Sequence, residues 1–119
     1  MNPTVLIVDD HEGFRSRARK LLEAGGFHVL EAADGDAAVV CAASSAPQLV
    51  LLDIQLPGLD GFDVARRLAA DGEGPAVVLT SSRDATDYGG RVSSAPVAGF
   101  IPKADLSADA IRSFLGERR

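Results

Sequence analysis

The chain has 119 residues, of which 46% are hydrophobic and 24% are charged, a composition typical of one globular domain. Its net charge of −5 argues against direct nucleic-acid binding, because proteins that bind nucleic acid present basic surfaces. A single cysteine, Cys41, excludes an internal disulfide and fits a reducing compartment. The N-terminal segment lacks the basic start of a signal peptide, and no apolar run approaches the roughly 20 residues that span a bilayer. We therefore expect one cytoplasmic domain over residues 1–119, without membrane contact.

Five short apolar runs alternate with stretches in which apolar residues recur at helical spacing. The runs are TVLIV (4–8), HVLEA (28–32), QLVLL (48–52), AVVLT (76–80) and VAGFI (97–101). A helix is expected after each run, but the one after the fourth run contains Gly89 and Gly90. Each glycine costs a helix about 0.8–1 kcal/mol relative to alanine. The fourth helix is therefore predicted to be short or mobile.

Strands that alternate with helices predict βαβ units and a parallel sheet covered by helices on both faces. The first, third and fourth runs are almost wholly apolar, as central parallel strands should be. The second and fifth are expected at the edges, and Pro102 fits an edge because proline lacks the backbone N–H of a central strand. The predicted fold is a doubly wound (βα)5 domain of the flavodoxin-like α/β class, with strand order 2-1-3-4-5.

Polar side chains stand at the carboxyl ends of four runs. Asp9 and Asp10 follow the first run, Asp53 follows the third, Thr80 ends the fourth, and Lys103 follows the fifth. In a doubly wound sheet these ends meet at one edge, where ligands bind. Adjacent carboxylates at the end of a buried strand repel each other and lose solvation, and a divalent cation removes that repulsion. Oxygen ligands suit Mg²⁺, so the sequence predicts a magnesium site at this edge.

The same group of side chains is suited to phosphoryl transfer. A metal ion and an ammonium group neutralise charge on phosphoryl oxygens, and a hydroxyl donates a hydrogen bond to one of them. No histidine or cysteine nucleophile ends a strand, whereas an aspartate carboxylate can itself form an aspartyl-phosphate. Asp53, on the central third strand, is the best placed nucleophile.

Four segments of the chain resemble the receiver domains of two-component response regulators. They are VLIVDDHEGFR, LVLLDIQLPGLDGFDVARRL, VVLTSS and GFIPKADLS, and the resemblance covers essentially the whole chain. It implies a signalling domain that takes a phosphoryl group from the phosphohistidine of a sensor histidine kinase or histidine phosphotransfer protein, or from a small phosphodonor. Such a domain phosphorylates and dephosphorylates itself and is not an enzyme with a separate turnover substrate.

The resemblance also implies how the acidic residues divide their roles. Asp53 matches the phosphorylated aspartate, and Asp10 and Asp53 match the carboxylate ligands of Mg²⁺. Gln55 matches the position that binds the metal through its backbone carbonyl. Asp9 matches the acid that reaches the metal mainly through water.

The remaining matched positions belong to the phosphate site and to the switch. Lys103 matches the phosphate-binding lysine, Thr80 the switch hydroxyl and Phe100 the switch aromatic. Phosphorylation is expected to change the face made by the fourth helix, the fifth strand and the fifth helix. We expect a downstream protein partner, or a second copy in a phosphorylation-dependent homodimer, to bind that face.

The residue after Lys103 departs from the receiver pattern. The family usually has a proline there, preceded by a cis peptide bond, whereas this chain has Ala104 after Lys103 and Pro102 before it. A cis bond before a residue other than proline costs about 2.5–4 kcal/mol. The geometry of the Lys103–Ala104 peptide is therefore not fixed by the sequence.

Several other side chains are expected to have structural roles. His11 is predicted to be solvated at the start of the first helix, although it follows the two acids directly. Tyr88 is expected to be partly exposed on the fourth helix. Asp34, Asp36, Asp60 and Ser107 are placed as turn or N-cap residues.

Alternative functions share parts of this pattern. A phosphatase of the haloacid-dehalogenase type also uses Asp, Thr and Lys with Mg²⁺, but its nucleophile lies in a DxD motif, where this chain has Asp-Asp-His. A flavin-binding protein of the flavodoxin type needs a phosphate loop there, and DDHEGF would repel a phosphate. Two alternatives lie within the resemblance. One is a receiver that binds partners without phosphorylation. The other is the N-terminal part of a helix-turn-helix transcription regulator, since PKADLS is similar to receivers of that kind.

Overall fold

A five-stranded parallel sheet organises the fold, and its strand order is β2-β1-β3-β4-β5. The computed structural model describes residues 2–58, 60–69 and 74–116. The strands are β1 Thr4–Val8, β2 His28–Ala32, β3 Leu49–Asp53, β4 Ala76–Ser81 and β5 Gly99–Pro102. Each neighbouring pair is parallel. The predicted doubly wound (βα)5 class and strand order are therefore confirmed.

Helices connect the strands as the alternating pattern predicted. Within the described parts of the chain they are α1 Glu12–Ala24, α2 Gly35–Ser45, α3 Gly61–Leu68, α4 Arg91–Ser94 and α5 Ala108–Gly116, with 3₁₀ turns at Ala85–Tyr88 and Lys103–Asp105. The side chains of Asp34, Asp60 and Ser107 each accept a hydrogen bond from a backbone amide in the first turn that follows. Asp36, predicted in the same group, lies inside the first turn of α2 and is not its cap. None of these helices is long and apolar enough to cross a membrane.

Each face of the sheet carries its own hydrophobic cluster. On one face, β1, β3 and β4 pack against α2 and α3, and Phe62 and Val64 of α3 are buried there. On the other face the strands pack against α1 and α5, which contribute Phe14, Leu22 and Ile111. Successive residues of a strand point to opposite faces, so a strand between two helical layers has to be apolar at nearly every position. This requirement explains the unbroken apolar runs of the three central strands.

The strand boundaries differ from the predicted ones by one or two residues. β3 begins one residue later than predicted and includes Asp53, and β4 extends to Ser81. β5 begins at Gly99, although the Ala98 amide already donates a hydrogen bond to the Val77 carbonyl of β4, at 2.7 Å. The fourth helix is a single turn that follows a 3₁₀ turn, so the prediction of a short helix is confirmed. The Lys103–Ala104 peptide is trans.

Candidate functional site

The carboxyl edge of the sheet brings the predicted site residues together. Asp9 and Asp10 follow β1, Asp53 is the last residue of β3, and Lys103 follows β5 directly. The register pairs Asp53 with Thr80 on the adjacent strand β4. Neighbouring strands lie about 4.8 Å apart, so Thr80 stands directly beside Asp53 in the sheet.

Lys103 connects the two buried carboxylates. Its Nζ lies 2.6 Å from Oδ2 of Asp9 and 3.5 Å from Oδ2 of Asp53. The ammonium group also stands 4.6 Å from the centroid of the Phe14 ring, which forms one wall beside it. Lys103 therefore neutralises part of the acidic charge here and remains within reach of Asp53.

Asp9 is the most deeply buried acid at this edge, with none of its surface exposed. Its Oδ1 accepts a hydrogen bond from the His11 amide at 2.8 Å and lies 3.1 Å from His11 Nδ1. Its Oδ2 forms the ion pair with Lys103, but no donor among the described residues meets it in hydrogen-bond geometry. The single ammonium of Lys103 faces two buried carboxylates, Asp9 and Asp53, so the negative charge here is only partly neutralised, and a bound cation would neutralise the rest.

The donor atoms around Asp9 suit a divalent cation. One ligand atom from each of Asp9, Asp10, His11 and Asp53 lies within 4.8 Å of the other three. Three of the four are carboxylate oxygens, the type of ligand that Mg²⁺ favours, so the residues present fit this cation. The predicted set of metal ligands included Asp9, Asp10 and Asp53 but not His11.

His11 contacts the acidic cluster directly, although its sequence position predicted only a solvated side chain. Its side chain is 69% exposed, as predicted, yet Nδ1 lies 3.2 Å from Oδ1 of Asp10 and also contacts Asp9. The two carboxylates therefore share one imidazole nitrogen. Its position directly after the two acids is the one sequence signal that could have indicated this contact.

Asp53 is held in an environment that disfavours its charge. Burial raises the pKa of the Asp53 carboxyl above its ordinary value, and the nearby charge of Asp9 raises it further. The Gln55 amide, which donates to Asp53 Oδ1 at 3.1 Å, and the Lys103 ammonium oppose that rise. A cation at this position would stabilise the ionised form, which is the nucleophilic one.

The loop after β3 turns back closely against the site. Gln55 pairs with Asp60 in an isolated antiparallel bridge, and the Gly61 amide donates to the Ile54 carbonyl at 3.0 Å. A Cβ atom on Gly61 would lie 2.6 Å from the Asp53 carbonyl oxygen, so glycine is required at this close approach. The loop fixes where the Gln55 backbone stands. The role of the Gln55 carbonyl as a metal ligand stays a prediction.

The two hydroxyl groups at the end of β4 have partners on opposite sides. The Thr80 hydroxyl is fully buried and donates to the Ile101 carbonyl of β5 at 2.6 Å. The Ser81 Oγ lies 2.6 Å from the Tyr88 hydroxyl, a contact that the sequence pattern did not predict. Tyr88 is half-buried, in agreement with the predicted partial exposure.

Phe100 lies outside the acidic pocket. It stands opposite Leu79 in the sheet register and packs, half-buried, against the cluster on the α2 and α3 face. Phe100 packs against apolar side chains, and the Thr80 hydroxyl donates to Ile101 and not to a carboxylate. Their predicted switch roles stay predictions.

Comparison with known proteins identifies what this arrangement is similar to. Residues 5–113 match the profile of the response regulator receiver domain. The DNA-binding response regulator MtrA of Mycobacterium tuberculosis is 38% identical over 87 residues, which is 73% of this chain and 38% of that protein. A positive alginate biosynthesis regulatory protein of Pseudomonas aeruginosa is 37% identical over 108 residues, which is 88% of this chain and 43% of that protein. The chain thus spans about two fifths of the length of these relatives.

Solved structures support the same fold. A two-component response regulator of the LuxR family from Aurantimonas sp. SI85-9A1 superposes with a TM-score of 0.88 at 26% identity, covering 100% of this chain and 89% of that one. The signal receiver domain of a NarL-type regulator from Mycobacterium tuberculosis has a TM-score of 0.85 at 28% identity, covering 97% and 98%. A CheY-like receiver domain from Methanospirillum hungatei JF-1 has a TM-score of 0.83 at 19% identity, covering 99% and 94%.

Proposed function

This chain belongs to the response regulator receiver domains of two-component systems, and we propose that it accepts a phosphoryl group on Asp53. The donor is the phosphohistidine of a sensor histidine kinase or histidine phosphotransfer protein, or a small phosphodonor. The observation that supports this best is the meeting of Asp9, Asp10 and Asp53 with Lys103 at the carboxyl edge of the sheet. Receiver domains are signalling domains. We also propose that the phosphoryl group is removed from Asp53 by hydrolysis within the same site.

In the proposed transfer, an oxygen of Asp53 attacks the phosphorus of the donor. The new O–P bond forms as the P–N bond to the donor imidazole breaks, and the imidazole nitrogen keeps the electron pair of that bond. Mg²⁺, held by Asp9, Asp10, Asp53 and the Gln55 carbonyl, would neutralise charge on the phosphoryl oxygens. Lys103 moves from its contact with Asp9 towards one of those oxygens, and the shift is short because Nζ is already 3.5 Å from Asp53 Oδ2.

The proposed response begins at Thr80. Its hydroxyl has to release the Ile101 carbonyl before it can donate to a phosphoryl oxygen. The space it leaves is beside β5, where Phe100 can turn inward. The face formed by α4, β5 and α5 then changes shape, and this is where we place a downstream partner or a second copy of the chain.

Phosphorylation of the purified protein tests the role of Asp53. Incubation with acetyl phosphate and Mg²⁺ is expected to add one acid-stable, base-labile phosphoryl group, measured by intact-protein mass spectrometry. Asp53→Asn should add none, because an amide is not a nucleophile towards phosphorus under these conditions. Asp109→Asn, at a carboxylate with a side chain that is 92% exposed, is the matched control and should be phosphorylated normally. A phosphoryl group that maps to Thr80 or His11 would contradict the proposal.

Magnesium titration tests the metal ligands separately. Mg²⁺ at about 100 times its dissociation constant should stabilise the fold by about 2.7 kcal/mol, since it binds the folded state alone. Thermal unfolding should report this as a higher Tm. Asp10→Ala should abolish the shift, because it removes a carboxylate at the exposed side of the cluster, whereas the exposed Asp109→Ala should keep it. An unchanged Tm shift in Asp10→Ala would remove Asp10 from the ligand set.

The relatives suggest how a change at the face formed by α4, β5 and α5 could be passed on. MtrA is described as a DNA-binding response regulator, and a helix-turn-helix output attached to this domain remains the alternative to action through protein contacts alone. A receiver that signals without phosphorylation is the other alternative, and the acetyl phosphate experiment separates it from the proposal. The cytoplasmic location and the single domain over residues 1–119 stay predictions.

A further inference from the structure

The segment between β4 and β5 is held by few contacts. No residue from 82 to 100 is buried, and the segment contains the 3₁₀ turn Ala85–Tyr88 and the one-turn helix α4. α4 has no side-chain cap. Such a segment contributes little burial to stability, so individual polar and aromatic contacts decide where it lies.

Its first contact is with the end of β4. Ser81 is fully buried, and its Oγ lies 2.6 Å from the Tyr88 hydroxyl and accepts a hydrogen bond from the Arg83 amide at 3.0 Å. Ser81 follows Thr80 directly, and the Thr80 hydroxyl is engaged on the other side with Ile101. A movement of Thr80 towards Asp53 would therefore displace the strand end that anchors Tyr88.

Its second contact is with the start of α3. The Tyr88 ring meets the buried Phe62 ring edge to face, with centroids 6.0 Å apart and an interplanar angle of 65°. The Arg91 guanidinium stands 4.2 Å from the centroid of Phe62 and donates to Asp60 Oδ2 at 2.6 Å. Asp60 caps α3 and pairs with Gln55, two residues after Asp53. The segment therefore contacts both the end of β4 and the loop between β3 and α3, which follows Asp53.

We propose that these contacts form a latch, consisting of Ser81, Tyr88, Phe62, Arg91 and Asp60, that holds the segment in its unphosphorylated position. Tyr88 is the positioning residue of the latch because it contacts both Ser81 and Phe62. The latch opposes the turn of Thr80 and so lowers the population of the switched state. This inference rests on the proposed phosphorylation of Asp53, since that event is what the latch resists.

The test is the affinity for beryllofluoride, a mimic of the phosphoryl group, at fixed Mg²⁺. Tyr88→Phe removes the hydroxyl and keeps the ring, and it should raise the affinity about 2- to 10-fold, the range expected for one neutral hydrogen bond that exists in the unswitched state. Ser81→Ala removes the same bond and also the one that the Arg83 amide donates, so it should raise the affinity at least as much, and the double variant should exceed Ser81→Ala little.

Arg91→Gln removes the exposed guanidinium that contacts Phe62 and Asp60, and it should also raise the affinity for beryllofluoride. Thr86→Ala, an exposed hydroxyl in the same turn, is the control and should leave the affinity unchanged.

Amide hydrogen exchange of the unliganded protein gives a second readout. Residues 82–95 should exchange faster in Tyr88→Phe, whereas β1 and β3 should be unaffected. A structural role alone would lower the unfolding free energy without raising the affinity for beryllofluoride, and that result would overturn the latch. An unchanged or weaker affinity, or additive effects of Ser81→Ala and Tyr88→Phe, would also overturn it. If the unsubstituted protein binds no beryllofluoride, the proposed function fails, and the exchange experiment then decides whether Tyr88 anchors the segment.

Discussion

The two sides of the candidate site are supported very differently. The acids stand on β1 and β3, and all five residues of β3 are buried. The groups expected to respond are Thr80 on β4, a strand buried throughout like β3, and Phe100 on β5, where only Ile101 of the four residues is buried. The helices differ in the same way. α3 has eight residues and a side-chain cap from Asp60, whereas α4 has four residues and no such cap.

The difference teaches how one small domain can both hold a reactive group and respond to it. A carboxylate cluster has to keep its geometry, and buried strands provide the rigid support that such sites need. A responding surface has to change at modest free-energy cost, and segments with few buried contacts are the ones that do so. The boundary between the two runs through β4, where Thr80 pairs with Asp53 on one side and with Ile101 on the other.

Truncating one side chain in β3 and one in α4 should give the largest difference in the free energy of unfolding. Leu51→Ala in β3 should lower the free energy of unfolding by about 2–5 kcal/mol, because a fully buried leucine leaves a cavity. Val92→Ala in α4 should cost about 1 kcal/mol or less, because Val92 is half-buried at the edge of its cluster. Urea denaturation measures both. Equal losses would show that the two regions are supported alike.

Two adjacent glycines test how the weak segment is shaped. Gly89 has a φ of +62° and Gly90 a φ of −84°, and a Cβ on either would meet no atom within 4 Å. Gly89→Ala should cost about 1–3 kcal/mol because its backbone conformation strains any side chain. Gly90→Ala should be neutral or stabilise by up to about 1 kcal/mol through the unfolded chain. Thermal unfolding should therefore give a lower Tm for Gly89→Ala than for Gly90→Ala. Equal Tm values would show that the positive φ of Gly89 does not require glycine.

Burial of the Asp53 carboxylate lowers the free energy of unfolding, and this is the smallest effect that we predict. Its size depends on pH. The pKa of Asp53 is raised in the folded protein, mainly by burial. An acid with a raised folded pKa destabilises the fold progressively as the pH rises from the unfolded value of about 4 to the folded pKa, and the penalty stays constant above that pKa. Without metal, Asp53→Asn should therefore be more stable than the parent protein at pH 7. The difference between the two urea midpoints should shrink as the pH falls towards 4, and a difference that grows instead would reverse the sign assigned to the burial of Asp53.

Local sequence patterns were sufficient to predict most of the fold. Apolar runs with helical stretches between them predicted five parallel strands in the observed order, because each strand has to be covered on both faces. The strand-end positions of Asp9, Asp53 and Thr80 followed from the same pattern, since the carboxyl ends of parallel strands meet at one edge. Asp34 and Asp60 were predicted as caps because an Asp side chain before a helix can accept its free amides.

The sequence by itself determined which residues gather at the carboxyl edge and which elements carry them. Only the tertiary structure decided how their side chains are paired. Lys103 lies closer to Asp9 than to Asp53, the Thr80 hydroxyl is engaged with Ile101, and Ser81 meets Tyr88. The pairings of Lys103 and Thr80 join residues far apart in the chain, and that of Ser81 crosses a loop. They depend on rotamers and loop paths set by packing between layers, and strand periodicity carries no information about those.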